Sequence, residues 1–209
     1  MNRSRILITS GPTREHLDPV RYLSNASSGQ MGCCLAVAAL ENGFDVTIVS
    51  GPVAIDYPAD ADVINVVSTD EMLEAVKEHW PQCVGLIAAA APSDFRPANF
   101  SSTKIKKSAD SKTMSLELIE NPDILAEAGK CKTDKQWTIG FALETDNGHA
   151  NAVSKLERKN CDYIVLNAPS AIDSADNSIS IIDPTGKSVE IFAGPKQLVA
   201  NRIIALIAR

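Results

Sequence analysis

Three of the four residues in Lys104-Ile105-Lys106-Lys107 are cationic, in a chain whose net charge is −6. In an acidic protein such a cluster reads either as a solvated edge or as a device that neutralises the charge of a bound triphosphate. Lys155 and Lys159, four residues apart with Arg158 between them, share one face of a helix. They are surface residues, or a phosphate clamp near Phe141, whose ring would pack on a base. Ser27-Ser28-Gly29-Gln30-Met31-Gly32 offers two readings of equal weight. The segment is a phosphate site at a helix N-terminus, or a turn of small residues that lets helix and strand pack closely. Asn25, just before that helix, either caps it or donates an amide hydrogen bond to a developing oxyanion. Arg14 and Arg21 pair with carboxylates or with a substrate phosphate, and Asp94 terminates a strand or accepts hydrogen bonds from a base or sugar.

These residues need a scaffold that gathers them, and the apolar pattern supplies one. Short apolar runs at Arg5–Thr9, Asp45–Val49, Val63–Val67 and Gly85–Ala91 alternate with helical patterns from Met31 to Asn42-Gly43 and from Thr69 to about Trp80. This is the signature of βαβ units around a parallel sheet. Gly85–Ala91 is apolar throughout, as expected of a strand covered on both faces. The polar stretch from Arg96 to Lys112 reads as a loop or arm, with a candidate strand at Thr113–Ile119. Asn121-Pro122-Asp123 starts a short helix. Strands at Thr138–Ala142 and Tyr163–Leu166 flank a helix at Asn147–Lys159. Ser178–Ile182 and Ser188–Phe192 enclose the turn Asp183-Pro184-Thr185-Gly186, and Gln197–Ala208 closes the chain as a helix. The expected architecture is α/β, a Rossmann-like doubly wound and mostly parallel sheet with an arm and a C-terminal β-hairpin. Residues 1–209 form one domain in this reading.

With 44% hydrophobic and 22% charged residues, the 209-residue chain can bury a full core. Its acidity removes a whole-surface attraction to nucleic acid or to an anionic membrane. Five cysteines without Cys-x-x-Cys spacing point to free buried thiols, and the three histidines lack metal-ligand spacing. No Ser-His-Asp or Cys-His arrangement is legible. The first residues form no signal or membrane-spanning run, so a cytoplasmic location is expected.

The long loop after the first strand carries an ordered match. Ile8-Thr9-Ser10-Gly11-Pro12-Thr13-Arg14-Glu15, then Asp18-Pro19-Val20-Arg21-Tyr22-Leu23-Ser24-Asn25, Ser27-Ser28-Gly29 and Met31-Gly32 resemble the phosphopantothenate–cysteine ligase family. Val49-Ser50-Gly51-Pro52, the lysine segment at 104–107, Asn121-Pro122-Asp123-Ile124-Leu125, Gly140-Phe141-Ala142 with Glu144-Thr145, and Lys155 with Lys159-Asn160 continue the likeness in order. The resemblance implies a ligase of coenzyme A biosynthesis. CTP, with Mg²⁺, activates the carboxylate of phosphopantothenate as an acyl-cytidylate with release of pyrophosphate, and cysteine then displaces CMP.

By position, the resemblance assigns CTP binding to Asp94, Lys104, Pro122, Asp123, Ile124, Leu125, Phe141, Lys155 and Lys159, with Ser28 and Gly29 at the nucleotide site. Asn25 and Lys104 become the catalytic residues, and Arg21 and Asn25 the substrate contacts. The family also implies a homodimer with an arm near the lysine segment, and a flavin-dependent decarboxylase that is fused or separate. Pro92 and Ser93 depart from the small apolar residues expected before Asp94. A dinucleotide-dependent oxidoreductase is the rival enzyme reading, but Ser50-Gly51-Pro52 stands where an acidic ribose ligand belongs. A non-catalytic nucleotide sensor is the rival from another class.

Overall fold

The computed structural model describes residues 3–107, 112–143, 147–167 and 176–208. Glu144, Thr145 and positions 108–111 of the expected arm lie outside them. Eight strands form the central sheet in the order β12-β11-β10-β9-β6-β1-β4-β5. Strands β1 (Arg5–Ser10), β4 (Asp45–Ser50), β5 (Asp62–Asn65), β6 (Gly85–Ala88), β9 (Trp137–Leu143) and β10 (Tyr163–Asn167) run parallel. The hairpin of β11 (Asp176–Ile182) and β12 (Ser188–Pro195) extends one edge antiparallel. From β1 the chain winds outward through β4 to β5, returns to the other side of β1 at β6, and winds away to β10. The order therefore reverses between β1 and β6, the place where open α/β sheets bind ligands.

Two apolar layers sandwich this sheet, because successive side chains of a buried strand face opposite sides. Ile6 and Ile8 face α1 (Gln30–Glu41) and α5 (Lys196–Ile207), whereas Leu7 faces α2 (Thr69–His79), α3 (Ile124–Lys130) and α4 (Gly148–Arg158). All three side chains are fully buried, each contributing about 2 kcal/mol of transfer free energy. Helix α2 starts at Thr69, as expected, and is fixed by a capping box in which Ser68 and Glu71 exchange hydrogen bonds.

Three elements differ from the expectation for local reasons. The long loop after β1 contains its own hairpin, β2 (Arg14–His16) against β3 (Tyr22–Ser24). The run to Ala91 leaves the ladder after Ala88, and a single bridge joins Pro12 to Ala91. The arm is an antiparallel pair, β7 (Phe95–Pro97) with β8 (Leu118–Glu120), rather than a strand over Thr113–Ile119. Cys131 is exposed, against the expectation that all five thiols are buried; Cys83 and Cys161 are buried, and burial pushes both thiols up to about 11.

Candidate active site

At the switch point, β1 ends in Ser10 and Gly11 beside the alanines that follow β6. Ala89 N–H donates to the Thr9 carbonyl at 3.1 Å and Ala91 N–H to the Gly11 carbonyl at 2.9 Å. Asn25 crosses over this junction. Its Nδ2 donates to the carbonyls of Pro92 at 2.9 Å and Ala91 at 3.3 Å. The side chain is exposed and does not cap α1; Gly29 is the N-cap, at φ 76°, where a side chain would be strained. Gly32 supports the close-packing reading, because a Cβ there would lie 2.5 Å from the Cβ of Ser10. No side chain caps α1, and Ser28 stands exposed beside its open N-terminus. The close-packing reading of this hexapeptide therefore holds at Gly32, while its helix N-terminus is left without a side-chain cap.

Behind the junction lies a buried polar network that the sequence did not announce. Glu15 accepts from both the N–H (2.9 Å) and the Oγ1 (2.7 Å) of Thr69 at the start of α2, where the helix dipole favours an anion. Thr13 Oγ1 lies 2.8 Å from Thr69 Oγ1 and accepts from Ser93 N–H at 2.9 Å. Asn121 Nδ2 donates to the Ser93 carbonyl at 2.8 Å, and Arg96 donates to Asn121 Oδ1 at 2.7 Å. Ser93, unexpected from the family pattern, is thus buried and held through its backbone on both sides. The network presents Asp94 to solvent, with its carbonyl accepting from Asn121 N–H at 2.8 Å.

A polar cleft of about 420 Å³ opens between Asp94, Asp123, the α4 residues Asn151, Ser154, Lys155 and Arg158, and Lys159 at the helix's C-cap. Lys155 Nζ donates to the Phe141 carbonyl at 2.6 Å, and Lys159 Nζ lies 2.8 Å from an Asp123 carboxylate oxygen. Burial works against the Asp123 charge, but the Lys159 bond and the Ala126 N–H prevail and hold its carboxyl below the usual range. Not every expected residue points here. The Phe141 ring packs towards the α1/α5 layer, across the sheet from the two lysines, so only its backbone reaches their cleft. Ile124 and Leu125 are core residues, which leaves the Pro122–Leu125 segment its backbone to offer a ligand. A second, apolar cavity of about 590 Å³, around Trp80, Cys83 and Gln136, lies at the amino ends of β6 and β9, away from the switch point.

The lysine segment is docked onto the hairpin that precedes Asn25. Asp18, fully buried, accepts from Val20 and Arg21 N–H at 2.9 Å, from Arg21 Nε at 3.1 Å and from Ile105 N–H at 3.0 Å. Arg21 Nη2 also donates to the Ile105 carbonyl at 2.7 Å. Arg21 is therefore occupied by a buried carboxylate, with Nη1 making no hydrogen bond among the described residues, while Arg14 stacks 4.6 Å from the Tyr22 ring centre. Lys104 itself is exposed.

All 209 residues match one family model, the DNA/pantothenate metabolism flavoprotein C-terminal domain, abbreviated DFP. The chain belongs to this family. The coenzyme A biosynthesis bifunctional protein CoaBC of Vibrio cholerae serotype O1 is 44% identical over 207 residues, covering 97% of this chain and 52% of the relative. Its counterpart from Haemophilus influenzae is 39% identical over 207 residues, covering 98% of this chain and 51% of the relative. The chain thus spans about half the length of the curated relatives it matches. The crystal structure of the C-terminal domain of a CoaBC protein superposes with a TM-score of 0.81 at 38% identity, covering 98% of this chain and 94% of that one. The DFP domain is accordingly a mostly parallel α/β sheet with small antiparallel hairpins.

One consequence for the DFP domain concerns acid. The Arg21 guanidinium beside Asp18, helped by the backbone N–H groups of Ile105, Val20 and Arg21, holds that carboxyl well below the usual carboxylate range against the effect of burial. A depressed folded-state pKa stabilises fully above the unfolded value and is lost as the pH falls below about 4. Asp18→Asn is expected to flatten the acid limb of a stability-versus-pH curve. An acid limb as steep as that of the wild type contradicts the assignment.

Proposed function

We propose that residues 1–209 act as one phosphopantothenate–cysteine ligase domain that uses CTP. The supporting observation is the juxtaposition, at the carboxyl edge of the sheet, of a cleft lined by Lys155, Arg158 and Lys159 with the Asn25 bridge over the switch point. The names of the relatives, coenzyme A biosynthesis bifunctional proteins, agree with this reading.

Activation joins an oxygen of the substrate carboxylate to the α-phosphorus of CTP and expels pyrophosphate. Two anions must approach each other, so fixed cations are required where charge accumulates. In this reading the α4 cations bind the nucleotide with Asp94, Ser28, Gly29 and the Pro122–Leu125 backbone, and Lys104 balances the charge on the departing pyrophosphate. Arg21 offers its free Nη1 to the phosphate of phosphopantothenate. In the second step the cysteine amine attacks the acyl carbon, and CMP leaves with the bonding electrons. Asn25, exposed and with its side-chain amide donating to two carbonyls, exchanges one of them for the acyl oxygen as it becomes anionic. Among the described residues no three His, Cys, Asp or Glu side chains form a metal cluster. That suits Mg²⁺ held chiefly by nucleotide phosphates and water, with Asp94 and Asp123 the carboxylates of the cleft. When bound, the ion neutralises triphosphate charge.

Partner and location follow the same reading. Phe95, Phe100, Met114, Leu116, Leu118 and Ile119 on and around the β7–β8 arm are large apolar side chains left exposed, which supports a second copy of the chain as their cover. A flavin-dependent decarboxylase, fused or separate, would supply the neighbouring activity. No helix among the described residues is long and apolar enough to cross a membrane, and the proposed location is the cytoplasm.

The nucleotide assignment is tested by calorimetry. Lys155→Ala is expected to weaken CTP binding by about tenfold, roughly 1.4 kcal/mol, without unfolding the chain. An unchanged Kd removes the cleft from the nucleotide site.

A further inference from the structure

Asp18 is a fully buried carboxylate, and its partners belong to two segments far apart in sequence. Its Oδ1 accepts from the N–H groups of Val20 and Arg21, closing its own turn. Its Oδ2 accepts from Arg21 Nε and from Ile105 N–H, 87 residues away. Arg21 Nη2 returns to the Ile105 carbonyl, and Ser101 N–H donates to the Leu17 carbonyl at 2.9 Å. The lysine segment is thus fastened at two points, 101 and 105, to the hairpin loop that leads to Asn25.

The bond to Ile105 N–H matters most. That N–H belongs to the planar peptide unit that also contains the carbonyl and Cα of Lys104. Holding it, and the next carbonyl, places the Lys104 Cα and, with the second tether at Ser101, narrows the directions in which its side chain leaves the backbone. Among the described residues no carboxylate forms an ion pair with Lys104 to orient it, and an unrestrained lysine carries about 2 kcal/mol of rotamer entropy.

We propose that Asp18, acting through Arg21 and the Ile105 peptide, is a positioning residue that aims Lys104 at the nucleotide and locks the segment of the activation step to the loop of the ligation step. The inference rests on the ligase reading above and deepens it. Asp18 touches no reacting atom. An asparagine in its place keeps the size but loses the charge that holds Arg21, and cannot accept on both sides of the turn with two oxygens.

The test is a mutant cycle read in pyrophosphate release. Asp18→Asn is expected to lower the single-turnover rate by about a hundredfold, as a misplacement of about 1 Å does. The KM for CTP should stay within about threefold, because the nucleotide contacts on α4 are untouched. With phosphopantothenate saturating, so that any loosening of Arg21 does not enter, the same substitution in a Lys104→Ala background should cost nothing further, since the group it aims is gone. Trypsin should cleave after Lys104, Lys106 and Lys107 faster in Asp18→Asn than in the wild type, while the sheet core stays protected.

A full-sized loss from Asp18→Asn on top of Lys104→Ala, or a wild-type rate for Asp18→Asn alone, overturns the proposal. An undamaged Lys104→Ala overturns it through the reading beneath it, which a damaged Lys104→Ala beside an undamaged Asp18→Asn leaves standing. If Asp18→Asn fails to fold, Ile105→Pro deletes the N–H that joins the two segments, at the cost of the isoleucine side chain and a restricted backbone at 104–105, and is read in the same cycle.

Discussion

Lys104→Ala is expected to lower phosphopantothenate-dependent pyrophosphate release by about 10²- to 10³-fold, the usual effect of removing one fixed charge or donor from a developing anion. The side chain is exposed, so its truncation should change stability by no more than about 0.5 kcal/mol. CTP should still bind, because Lys155, Arg158 and Lys159 line their cleft from α4. The diagnostic pattern is therefore a collapse in rate at nearly constant Kd for CTP. Near-normal formation of the acyl-cytidylate by this variant would take the lysine out of the mechanism.

Asn25→Ala should separate the two half-reactions. Pyrophosphate release should remain detectable, while ligation to cysteine falls by about 10²- to 10³-fold, or roughly 3 kcal/mol or more, for loss of a well-placed donor. The intermediate should then accumulate and be recovered by rapid quench and chromatography. In the resting structure the Asn25 amide holds the carbonyls of Pro92 and Ala91, so its truncation also slackens the strap that carries Ser93 and Asp94. That strap keeps its other tethers, from Thr13 and Asn121, which is why activation should survive. Loss of both steps in a chain with native circular dichroism would show that Asn25 serves the strap rather than the acyl oxygen.

Much of the scaffold was legible because burial writes itself into composition. Leu7, Ile48, Ile87 and Ile164 sit in short apolar runs bounded by turn residues, and all became central strands. The switch point followed from the order of those strands. The hairpin of β2 and β3 was hidden, since Arg14-Glu15-His16 shows no apolar alternation and pairs inside a loop. Ala89–Ala91 read as strand from its apolar residues; the regular strand stops at Ala88, and beyond it the segment stays beside Thr9, Gly11 and Pro12 through two backbone hydrogen bonds and a single bridge.

At the candidate site, residue types carried the lysines and Asn25, because clustered cations and a lone amide before a helix stand out. Glu15 and Asp18 did not stand out, since a carboxylate in a polar loop is ordinarily solvated and only three-dimensional structure shows it buried. Phe141 illustrates the remaining gap. Alternation puts Ile139 and Phe141 on one face and Ala142 on the other, but which face α4 covers depends on the hand of the crossover, and the ring lies on the far side.

The central claim is tested most directly by pyrophosphate release from the purified chain supplied with phosphopantothenate, cysteine and Mg²⁺, comparing CTP with ATP and omitting each substrate in turn. The account predicts release that requires phosphopantothenate, prefers CTP and yields phosphopantothenoylcysteine only when cysteine is present. Tight CTP binding without release under any of these conditions would contradict it and leave a nucleotide-binding protein in its place.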